Sequence, residues 1–115
     1  MSEHLDPGVQ ALLREVMEDE YPVLLDTFLS DSEARLNALG LAHDARDAEA
    51  LRRAAHSFKG SCGNMGAPLL AELCSQLEEL GRAGDLTPVA ALLAQAEQEF
   101  ALIRTLIESE RQRYS

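Results

Sequence analysis

Apolar residues recur every three to four positions along nearly the whole chain, and short polar breaks divide them into five runs. Asp6-Pro7 reads as an N-cap followed by proline at the first helical position, opening a short helix through Val9, Leu12, Leu13 and Val16. A second start at Asp19 to Pro22 leads into Tyr21, Leu25, Phe28, Ser32, Leu36 and Leu39, with an end near Gly40 to His43. Asp47 caps a third helix that extends to about Gly63, where Asn64-Met65-Gly66-Ala67-Pro68 breaks the pattern. The fourth carries Leu69, Leu73, Leu77 and Leu80 on one face and stops at Gly81 to Gly84. Thr87-Pro88 forms another cap and first-turn pair. The last helix then runs to roughly Ser109 with the stripe Leu92, Ala96, Phe100, Ile103 and Ile107, flanked by Leu93, Ala94 and Leu106. Connections of about two to eight residues favour antiparallel neighbours. The expected fold is all-α: an antiparallel up-and-down four-helix bundle over about residues 20–110, with a short N-terminal cover helix, in one domain over 1–115.

Composition narrows the function classes. With 115 residues the chain closes one core, and its helix formers Leu, Ala, Glu, Gln and Arg agree with the periodicity. The formal charge of -10, from 20 acidic and 10 basic residues, makes nucleic acid and anionic membrane surfaces poor partners. No apolar run approaches the roughly 20 residues of a membrane span, and Met1 to Gly8 lacks the pattern of a signal peptide, so the cytoplasm is expected. Cys62 and Cys74 fit no zinc or haem spacing and are expected as core residues. His4 and His43 are expected to be solvated, with no metal-ligand spacing to His56. Glu97, Glu99, Glu108 and Glu110 are expected to form a wet face, and Arg111 and Arg113 to complement the last helix's C-terminus.

Chemistry concentrates on the third helix. Its seam is Leu51, Ala55, Phe58, Cys62 and Met65. At about 100° per residue, His56 falls about 140° from Leu51, and Lys59, Gly60, Gly63 and Arg52 fall at about 80°, 180°, 120° and 100°. His56 therefore points away from the core, with Arg52, Lys59, Gly60 and Gly63 as its helical neighbours. Each glycine inside a helix costs about 1 kcal/mol relative to alanine, so two of them here clear side chains from around the imidazole. Arg52 and Lys59 add local positive charge to an otherwise acidic chain. An exposed imidazole on cleared ground beside cations suits a site that carries a phosphoryl group and presents it to a partner.

The segment from Ala54 to Ala67, with His56, Lys59-Gly60, Gly63 and Met65-Gly66, resembles the signature of histidine-containing phosphotransfer domains of multistep two-component signalling. Phe28-Leu29, Arg35-Leu36 and Leu39 look like that family's second helix, and Leu73-Cys74 with Leu77-Glu78 its fourth; the similarity covers about Tyr21 to Ile107. The resemblance implies a phosphoryl carrier. His56 would accept the group from a phospho-aspartate on one receiver domain and pass it to an aspartate on another, the receivers belonging to hybrid sensor kinases and response regulators. The family uses the outer ring nitrogen. Lys59 would offset the phosphoryl charge, and Gly60 and Gly63 would permit docking. No metal or cofactor is expected on the chain itself, because Mg²⁺ and most charge stabilisation belong to the receiver's acidic pocket.

Two rivals are weighed against this. A hydrolase or kinase-like enzyme lacks any Gly-rich nucleotide loop, and 115 residues leave no room for an ATP-binding domain. A non-catalytic helical interaction module would require His56 to be dispensable. Because four helices fit in one chain, a monomer is expected. The start at Met1 and the absence of a linker lead to the expectation of a stand-alone carrier with no enzymatic turnover of its own.

Overall fold

The computed structural model describes residues 3–114. Helix α1 spans Pro7–Met17 and passes through a single 3-10 turn at Glu18–Glu20 into α2, Tyr21–Asp44; α3 (Ala48–Met65), α4 (Pro68–Ala83) and α5 (Val89–Gln112) follow. Each of α2 to α5 packs on the next, and α5 closes the ring against α2, giving the antiparallel bundle expected from the runs. No strand occurs among the described residues. The bundle measures 42 × 21 × 20 Å.

Local chemistry sets most of the ends. The Asp6 carboxylate accepts from the Gly8 and Val9 amides, and Asp47 accepts from Ala50, so both caps act as expected. Helix α3 runs two residues past Gly63 and ends in a left-handed glycine, Gly66 (φ 79), with Ala67 N–H donating to Cys62 O and Gly66 N–H to Gly63 O. Gly84 (φ 72) closes α4 in the same way through Leu80 and Gly81. Thr87 does not cap α5. Its amide instead donates to Asp85, and Pro88 is the residue preceding the helix.

The core holds Leu51, Ala55, Phe58, Cys62 and Met65 of α3 against Tyr21, Leu25, Phe28 and Leu39 of α2 and Phe100, Ile103 and Ile107 of α5. On α4 Leu77 is buried as expected, but the rest of the buried line is Leu70, Cys74 and Gly81, one position round from Leu69, which is exposed, and from Leu73 and Leu80, which pack at the core's edge. This shift has a physical cause. A Cβ at Gly81 would lie 2.8 Å from Ala48 O and Arg52 N, so glycine at this point lets the α4 backbone press onto α3 and sets its rotation. Gly81 is therefore a packing residue inside the helix and not its stop. On α5 Leu93 is buried, while Leu92 is half-buried and Ala94 exposed.

The cover helix α1 buries a polar residue. Val16 and Leu12 are exposed, and Gln10 is enclosed, donating to Met65 O (2.5 Å) and accepting from Tyr21 Oη (3.1 Å). Two glutamates expected on a wet face are also enclosed. Glu99 meets His4 Nδ1 at 2.7 Å, which removes His4 from the solvated class, and Glu110 binds Arg14 (2.8 Å) and Arg113 (3.0 Å). Glu97 and Glu108 are exposed, as expected. Arg111 pairs with Asp26 across the bundle, while His43 lies half-exposed near Asp44. Cys62 and Cys74 are free and buried; the neighbouring Cys74 and burial push the Cys62 thiol well up, so Cys62 is not a ready nucleophile.

Candidate phosphotransfer site

The α3 seam fixes the opposite face of that helix. With Leu51, Ala55, Phe58 and Cys62 turned fully inward, His56 projects outward with its side chain 66% exposed. Gly60 and Gly63 lie beside it on the surface, and a Cβ built on either meets nothing within 4 Å. The ground around the imidazole is open, as the helical spacing implied.

A residue that the sequence offers only as part of the fourth-helix resemblance organises the site. Glu78 comes from α4, is only 4% exposed at its side chain, and places Oε2 2.9 Å from His56 Nδ1. Its other oxygen, Oε1, lies 2.5 Å from Lys59 Nζ, and Arg82 Nη2 approaches Oε2 at 3.1 Å. The Lys59 ammonium beside it, followed by the His56 ring, holds the Glu78 carboxyl down to about 2 against the upward pull of burial. An ionised carboxylate can only accept a hydrogen bond. In the neutral ring Nδ1 is therefore the nitrogen that carries the proton, which puts the lone pair on Nε2. The close approach at Gly81, three residues along α4, brings Glu78 within reach of α3.

The expected cations divide. Lys59 stands at the site, but Arg52 turns back along α3 to Glu49, with contacts of 2.5 and 3.1 Å, so the second cation at the carboxylate is Arg82. Arg82 also pairs with Glu79. From α2, Arg35 reaches Ser57, the residue after His56, and is held by Asp31 at 2.7 Å. Glu78 and Arg82 share no helix with His56, and periodicity along one helix does not encode the register between two. The signal available was an acid and a base four residues apart on α4, a pattern equally common on solvated helix faces. Among the described residues, no cluster of three or more His, Cys, Asp or Glu side chains could hold a metal ion.

An exposed imidazole on an open bundle face, its Nδ1 in contact with a buried carboxylate, is an arrangement suited to histidine phosphotransfer. A family profile described as the Hpt domain matches residues 23–112, and the chain belongs to that family of phosphotransfer domains of His-Asp phosphorelays. The crystal structure of histidine-containing phosphotransfer protein B (HptB) from Pseudomonas aeruginosa PAO1 is 58% identical, superposes with a TM-score of 0.98, and covers 100% of both chains. The sensor protein TorS of Escherichia coli (strain K12) is 39% identical over 44 residues, a match that takes in 38% of this chain and about 5% of TorS.

Proposed function

We propose that His56 is the phosphoryl-accepting residue of a carrier that takes the group from a receiver-domain aspartate and delivers it to another receiver. The observation that carries this reading is the His56–Glu78 contact, which leaves Nε2 as the free nucleophile on a ring that is 66% exposed. Neutral imidazole is a competent nucleophile and a good leaving group, so one residue serves both directions of transfer. Lys59 and Arg82, both paired with the Glu78 carboxylate that His56 meets, would supply positive charge near a phosphoryl group on the ring. Gly60 and Gly63 leave room for the partner's active-site rim. Beyond them, an apolar cleft of about 280 Å³ between α1, α2 and α3, lined by Leu13, Met17, Leu24, Phe28 and Met65, extends the docking face.

The chain itself supplies position, a nucleophile and local charge. Mg²⁺ would sit in the receiver's acidic pocket, and the carrier would have no turnover of its own and act as a cytoplasmic monomer. His56→Gln is expected to abolish acid-labile labelling from phosphorylated receivers while the protein still unfolds cooperatively near the wild-type temperature, since an exposed side chain contributes little to stability. Labelling that survives in the variant would place the phosphoryl group elsewhere and overturn this assignment.

A further inference from the structure

We propose, resting on the carrier reading above, that Glu78 is a positioning residue that holds the Nδ1 proton on phosphorylated His56, so that the ring leaves as neutral imidazole at each transfer. With the phosphoryl group on Nε2 and a proton on Nδ1, the ring is cationic. The P–Nε2 bond breaks, its electron pair returns to Nε2, and a P–O bond forms to the receiver's aspartate carboxylate. The proton remains on Nδ1 throughout. Were Nδ1 deprotonated first, the same cleavage would expel an imidazolate anion, a far stronger base and a far poorer leaving group.

An ordinary imidazole exchanges its proton around pH 6.5, within the range a cell experiences. A carboxylate in hydrogen-bond contact favours the protonated ring. Here that contact is 2.9 Å, and the acceptor is buried. The proton does not pass to Glu78, because Lys59 at Oε1 and Arg82 at Oε2 keep the carboxylate ionised. The wider charges cancel by pairs: Arg82 also meets Glu79, Arg52 meets Glu49, and from α2 Arg35 meets Asp31 beside Ser57. The Glu78 carboxylate, at 2.9 Å, is the charged group in direct contact with Nδ1.

Glu78→Gln separates charge from geometry, because an amide oxygen still accepts from Nδ1–H but carries no negative charge. Wild type and variant, phosphorylated and labelled with ¹⁵N in the ring, are titrated by NMR between pH 6 and 9, and transfer to one receiver is timed over the same range. The expected result is an Nδ1 proton retained at pH 8 in the wild type and lost at least one pH unit earlier in the variant. The wild-type to variant ratio of transfer rates should be within about threefold at pH 6 and grow about tenfold per unit above the variant's midpoint. The receiver's own titration cancels in that ratio. A ratio independent of pH overturns the proposal. So does a wild-type Nδ1 that deprotonates near 6.5, a reading that needs no variant and stands even if Glu78→Gln fails to fold. A wild type that takes up no label at all would instead bring down the carrier assignment of His56, an outcome distinct from both.

Discussion

At Glu78, burial and charge oppose one another, and the cation beside it decides the outcome. A carboxylate withdrawn from water is driven toward its neutral form, yet the Lys59 ammonium and the His56 ring hold this one at about 2, below its ordinary 4.5. A group whose folded value is depressed contributes stability that is complete above the unfolded value and is lost as pH falls through the folded one. The stability difference between wild type and Glu78→Gln should accordingly be full above about pH 4.5 and shrink as the pH falls to about 2. Urea midpoints measured across that window test this, and parallel curves for the two proteins would show that the ionised carboxylate adds nothing. A second residue tests polar burial with the opposite sign. Ser32 is fully enclosed on the α2 seam and its Oγ finds no hydrogen-bond partner. An unsatisfied buried hydroxyl costs about 1–3 kcal/mol, so Ser32→Ala should raise stability by about 1 kcal/mol in denaturant unfolding, and a loss of stability would point to a partner for that hydroxyl.

Helices bring these residues together, and glycine serves three different ends within or at the end of two of them. Gly60 and Gly63 face open space, so replacing either with glutamine removes a helix-propensity penalty of about 1 kcal/mol and fills the surface beside His56. Such variants should unfold at equal or higher denaturant yet accept phosphoryl groups from receivers more slowly, while small donors such as acetyl phosphate are less affected. Stability and receiver transfer moving together would remove the docking argument. Gly81 behaves oppositely, because a methyl group there meets the α3 backbone at 2.8 Å. Gly81→Ala should cost about 1–3 kcal/mol and disturb the Glu78 contact as α4 shifts. Gly66 is required twice, by its left-handed φ of 79° and by Val9 Cβ at 2.7 Å. The contrast marks what a single chain of letters can and cannot disclose. Helix existence, the α3 seam and the outward azimuth of His56 follow from periods and caps within one segment, and all are legible. On α4 the period finds Leu77 but not the exact rotation, because Gly81 near a helix end reads as a stop, and only the facing backbone of α3 reveals it as a contact. The places of Glu78 and Arg82 at the site are illegible for the same reason, since they depend on how α3 and α4 are aligned. Glu99 and Glu110 looked wet because the basic groups that enclose them come from the N-terminal segment or the following turn.

Across the whole molecule, α1 is joined to the bundle through buried polar contacts as well as apolar ones, and the polar ones have consequences that differ from those of an apolar seam. Leu5 is buried and Leu13 and Met17 pack partly, but the enclosed centre of the helix is Gln10, bridging Met65 O at the end of α3 and Tyr21 Oη at the start of α2. Arg14 adds a tie to Glu110 on α5, and the Asp6 amide donates to Gly66 O. Each link is directional, so the cover helix is held in one register, and each is individually modest at about 0.5–1.5 kcal/mol net. Gln10→Ala removes two of them at once and leaves a carbonyl and a hydroxyl enclosed without that partner, which should lower stability by about 2 kcal/mol. The loss should be local before it is global: amides of α1 should exchange faster with deuterium while those of Phe58 and Cys62 in the α3 core keep protection close to the global unfolding limit. His56 and Glu78 belong to α3 and α4, so transfer at a temperature where the variant is folded should retain its wild-type response to pH. Unchanged stability and unchanged α1 exchange would mean that the apolar contacts alone seat the helix, whereas protection lost evenly across α3 would make the cover helix part of the core's cooperative unit.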